Sequence, residues 1–76
     1  MNLLAALRRR YGHSGAAATL WDVHIYNPRT QTTDTHRAVP FEGVQHNISE
    51  ARSVIIMAAR KFKAKQEYIL AVPHRS

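Results

Sequence analysis

The chain has 76 residues and no cysteine, and its eleven Lys and Arg outnumber five Asp and Glu for a net charge of +6. That length allows one domain with one modest core, and the missing cysteines exclude a disulfide staple and a thiolate zinc site. The charge points to an anionic partner: nucleic acid, anionic lipid or an acidic protein patch.

The opening MNLLAALRRR places its charges after a short apolar run, the reverse of a secretory signal. No apolar run reaches the length of about eighteen residues that spanning a membrane requires, so a cytoplasmic protein is expected. Asn2 to Tyr11 reads as a short helix with Leu3, Leu4, Leu7 and Tyr11 on one stripe and Gly12 at the cap position. Arg8, Arg9 and Arg10 fill its last turn, where they complement the helix dipole or grip a phosphate or a partner. His13 to Thr19 is a connector of small residues.

Leu20 to Tyr26 is the best strand: Trp21, Val23 and Ile25 alternate with Asp22, His24 and Tyr26. Asn27 to Thr30, NPRT, is a turn with Arg29 at its tip. A second, polar strand follows over Thr32 to Val39, suited to a sheet edge and stopped by Pro40. Phe41 and Val44 are placed to plug the end of the core, and Gly43 supplies a bend.

Asn47 to Lys65 is the longest stretch with a helical period. Ile48, Ala51, Ile55, Ala58, Ala59 and Phe62 share one face, and Asn47 with Glu50 suggests a capping box. Val54 to Ala59 are six consecutive apolar residues, more than one face can hold. The opening helix or a second subunit is expected to cover the excess. Glu67 to Val72 is a third strand, apolar on both faces, and Pro73 ends it. The expected architecture is a single α+β domain over 1–76: a hairpin, a long helix and a third strand spanning 20–72, with a short helix over 1–12. The strand order second, first, third puts the most apolar strand in the middle.

Catalytic motifs are scarce. The five histidines include no HExxH pair. The three glycines form no phosphate loop. A ribonuclease using His24 or His36 as a base is a minor alternative. No cofactor or metal is expected. What remains is basic surface: Arg8, Arg9 and Arg10; then Arg60, Lys61, Lys63 and Lys65; then the scattered Arg29, Arg37, Arg52 and Arg75. Contacts from these would go to phosphate backbone, with little sequence readout.

In its order of elements, a strand hairpin leading into ISEARSVIIMAARKF and then EYILAV, the segment Leu20 to Val72 resembles some small phage-encoded anti-CRISPR proteins. The likeness concerns layout and carries no functional residue across. It implies a non-enzymatic inhibitor or adaptor bound to a guide-RNA surveillance complex. Many such proteins are acidic DNA mimics. A basic one would instead occupy an acidic protein surface of the ribonucleoprotein, or hold DNA against it. A stand-alone DNA- or RNA-binding regulator is the alternative, and a homodimer is compatible with either.

Overall fold

The computed structural model describes residues 17–75. The helix expected at the start, with Arg8, Arg9 and Arg10, lies outside the described residues. The elements run β1 (Ala18–Asn27), β2 (Thr32–Glu42), α1 (Ala51–Phe62) and β3 (Ile69–Pro73). They form a three-stranded sheet of order β2-β1-β3, with β1 antiparallel to both neighbours. This is the small α+β fold the sequence pattern predicts.

The period-two pattern of β1 sets the core. Trp21 and Val23 are fully buried and Ile25 packs beside them. Their cross-strand neighbours on β3, Ile69 and Ala71, are buried on the same face. Val54 and Ala58 of α1 close over that face. The indole N–H of Trp21 donates to Thr19 Oγ1 at 2.9 Å, so its one polar atom is satisfied. Thr19 Oγ1 in turn donates to the Val44 carbonyl at 3.2 Å, which ties down the loop leading to α1. Phe41 is buried and Val44 packs partly against the core, as expected of a plug.

β2 carries the main irregularity. Val23 pairs with His36 but Trp21 pairs with Val39, so Arg37 and Ala38 together stand opposite Asp22. This is a β-bulge, and Ala38 takes a left-handed φ of 55° within it. The extra residue shifts the side-chain parity of β2. His36 before the bulge and Val39 and Phe41 after it then all point to the helix side. Without the bulge, Val39 would pair with Leu20 and face the other way.

Several expected boundaries move. Pro40 does not end β2, which continues to Glu42, and Pro73 lies inside β3. Both prolines sit on edge strands, where a backbone position without an N–H is tolerated. The expected helix begins as a 3-10 turn over Ile48–Glu50, and its α-helical part ends at Phe62. Lys63 takes a left-handed φ of 54° as the cap, which puts Lys63 and Lys65 beyond the helix. Asn47 does cap the turn, accepting from the Ser49 N–H at 3.1 Å. The capping box does not form, because the Asn47 N–H donates to the Gln45 carbonyl at 2.9 Å instead of to Glu50. Ile48, expected on the buried face, is 65% exposed, since the 3-10 turn rotates it off the stripe. Leu70, on the face of β3 away from α1, is 58% exposed and not covered as the apolar pattern suggested. No helix among the described residues is long and apolar enough to cross a membrane.

Candidate functional site

The registers define two ends of the sheet. At one end lie the β1–β2 turn and the start of β3, which pairs opposite Ile25. The C-terminus of α1 reaches the same end, since only residues 63–68 separate it from β3. Arg29 therefore shares an end with Arg60, Lys61, Lys63 and Lys65. The turn that presents Arg29 is held by its own N–H donating to Asn27 Oδ1 at 2.9 Å, and by the Gln31 N–H donating to the Asn27 carbonyl at 2.7 Å. Arg52 shares a groove with Lys65, between α1 and the connector that follows it. Arg37 is at the opposite end with Arg75. All eight of these cations are exposed. Among the described residues none of them lies within ion-pair distance of a carboxylate, and the one pairing formed is His74 with Asp22.

That pairing marks the other end. Asp22 sits on the face of β1 away from α1, and β3 brings His74 beside it, with the His74 N–H donating to the Leu20 carbonyl at 2.9 Å. His74 Nδ1 lies 2.8 Å from Asp22 Oδ1, and the Ala38 N–H from the bulge donates to the same oxygen at 2.9 Å. The Ala38 bond, together with His74 and the charge of Arg37, holds the Asp22 carboxyl below its ordinary value, against a partial opposing effect of burial. An ionised carboxylate only accepts hydrogen bonds, so Nδ1 carries the proton and Nε2 of His74 is left for a ligand.

The pair opens into a cleft of about 1000 Å³. His46, Arg37 and Arg75 share its lining, and Ile48, Val72 and Pro73 complete the walls. His46 is fixed between the anchored Val44 and the capping Asn47, with its ring edge-on to Trp21 at 6.2 Å between centroids. His46 and His74 also border a second, smaller opening beside Thr19.

The two histidines singled out from sequence do not meet. His24 bonds Thr35 Oγ1 at 3.0 Å on the sheet face away from α1. His36 is on the helix side, stacked on Phe62 with centroids 4.3 Å apart. His46 and His74 converge instead, and no short-range spacing marks them: Asp22 and His74 are 52 positions apart. The alternation of Asp22 with Trp21 and Val23 was the one available signal, since it puts a carboxylate on the face away from the core. Among the described residues no group of three or more metal-ligating side chains is assembled. Comparison of the chain with family models, with curated proteins and with solved structures finds no match.

Proposed function

We propose that this chain is a small binding protein for a polyanion, the phosphate backbone of nucleic acid, met alone or within a nucleic-acid-handling complex. The observation that supports this reading is the set of eight exposed Lys and Arg with no carboxylate within ion-pair distance among the described residues. A cation already paired within the molecule has to break that pair before it reaches a phosphate; these do not. Five of them, Arg29, Arg60, Lys61, Lys63 and Lys65, belong to the end of the fold that holds the β1–β2 turn and the C-terminus of α1. Such a patch reads charge and spacing, not bases. In a complex, the same patch would make the protein an inhibitor or adaptor that competes for the bound strand or for an acidic protein surface.

The test is a mobility shift with random-sequence duplex DNA over a salt series. About four phosphate contacts give a log–log slope near −3.6 and a loss of roughly a hundredfold in affinity between about 50 and 200 mM salt. Replacing Arg60, Lys61, Lys63 and Lys65 together by alanine should flatten that slope. A slope unchanged by the four replacements would reject the patch as the contact surface. Capture of a complex that survives nuclease treatment would assign the surface to protein and not to nucleic acid.

A further inference from the structure

We propose that the cleft holding Asp22, His46 and His74 cleaves RNA by transesterification at the 2′-hydroxyl, with His74 as general base and His46 as general acid. This goes beyond binding, and it rests on the binding reading only for bringing a strand to the cleft. Three features of the site carry it.

The first is an oriented imidazole. Asp22 is anchored from two directions, by the Ala38 N–H and by His74, both on Oδ1. With Nδ1–H committed to the carboxylate, the ring presents Nε2 as a proton acceptor. The carboxylate also stabilises the imidazolium that forms as the base takes its proton. The second is a second imidazole on the same cleft. His46 is exposed and held in place by the Trp21 contact and the capped turn that follows it. The third is the anion environment. Arg37, within the bulge, and Arg75, one residue past His74, line the cleft, and among the described residues neither is paired with a carboxylate. Guanidinium groups there stabilise the added negative charge of a five-coordinate phosphorus. Bulges recur beside active sites, and this one turns the Ala38 N–H onto Asp22.

The chemistry needs no nucleophile from the protein, because RNA supplies one. His74 Nε2 takes the proton from the 2′-hydroxyl. The O2′–P bond forms and the P–O5′ bond breaks. The departing O5′ takes a proton from the His46 imidazolium. The products are a 2′,3′-cyclic phosphate and a free 5′-hydroxyl, and the two histidines end with exchanged protonation states that water resets.

The experiment uses the full chain and two labelled oligonucleotides of one sequence: all-RNA, and the same strand with every 2′-hydroxyl methylated. The methylated strand should be shifted in a gel and stay uncut, while the RNA yields cyclic-phosphate ends. His74→Ala and His46→Ala should each lower the cleavage rate by about a hundredfold or more, with His24→Ala unchanged. Asp22→Asn, which misplaces the base without touching substrate, should lower kcat with KM unchanged. Intrinsic Trp21 fluorescence reports whether each variant is folded. If His74→Ala does not fold, His46→Ala, on an exposed turn, decides alone. RNA that is bound but left intact by the wild-type protein overturns the cleavage proposal and leaves binding standing. Cleavage that persists at the wild-type rate in the histidine variants marks a co-purified nuclease and also overturns it. A methylated strand that is not shifted at low salt removes binding and cleavage together.

Discussion

Val54 and Ile56 are two residues apart on α1, yet the fold assigns them opposite fates. Val54 is fully buried in the core, while Ile56 is 41% exposed. Val54→Ala removes two methyl groups from a site with no solvent. At about 0.8 kcal/mol per buried methylene, plus the cavity left behind, the cost is about 2–3 kcal/mol. A chain of 76 residues has a total stability of roughly 4–11 kcal/mol, so this one change removes a large share. Ile56→Ala loses packing on one side only, and alanine's better helix propensity returns about 0.4 kcal/mol. Its net cost should stay below about 1 kcal/mol. Urea titration followed by Trp21 fluorescence separates the two, since the indole is fully buried when folded. With a slope near 1 kcal/mol per molar urea, the Val54→Ala midpoint should drop by about 2–3 M and the Ile56→Ala midpoint by under about 1 M. Equal drops, with a midpoint that rises with protein concentration, would refute this reasoning and show Ile56 buried against a second copy.

Two further outcomes follow from the charges. Asp22 has a carboxyl held below the ordinary value of 3.8, so its contribution to stability is complete above that pH and fades as acid protonates the folded carboxylate. Asp22→Asn should therefore be less stable than wild type at neutral pH, and the gap should close as pH falls through and below that value; a gap constant with pH, read by thermal melts across an acid series, would reject the ionised Asp22 tie. Arg29→Ala, at the turn tip, should lower the magnitude of the salt slope for duplex binding by about 0.9, and an unchanged slope would remove Arg29 from the patch.

The core was legible because it depends on local periodicity. Trp21, Val23, Ile69 and Ala71 follow the period of two, and Ala51, Ile55, Ala58 and Phe62 follow the helical one, although the fully buried Val54 lay outside the face read from the sequence. Either pattern can be read within a short window. The element ends were not, because each turns on a single backbone choice. The left-handed Lys63 and the 3-10 turn at Ile48 leave no mark in side-chain hydrophobicity, and Pro40 reads as a stop even on an expected edge strand unless its missing N–H is known to face outward. The basic patch was legible as composition but not as geometry. Counting cations could not place Arg29 with Lys63 or send Arg37 to the far end. The Asp22–His74 pair was least visible of all, since it requires the register of β3 on β1.

The bulge at Arg37 and Ala38 joins the stability of this fold to its cleft, and Ala38 tests both. An unbroken register would pair Asp22 with Arg37 and Leu20 with Val39, turning Val39 and Phe41 away from α1. Both are buried here, and each contributes about 1.5–3 kcal/mol by burial. Deleting Ala38, by contrast, closes the ladder with Asp22 opposite Arg37 and Trp21 still opposite Val39, so both core residues keep their face and the loss is the Ala38 N–H on Asp22. The deletion should therefore still unfold cooperatively, less stable than wild type by about 1–3 kcal/mol for the carboxylate left without that donor. Ala38→Gly keeps the bulge and acts in the opposite direction. Left-handed backbone costs alanine about 1–2 kcal/mol, while the freer unfolded chain of glycine gives back about 0.4–1 kcal/mol. The net should be a gain of about 0.5–1 kcal/mol, with the Ala38 position still donating its N–H to Asp22. A destabilised Ala38→Gly, or a deletion as stable as wild type, would show that neither the left-handed Ala38 nor its N–H on Asp22 bears on the stability of the fold.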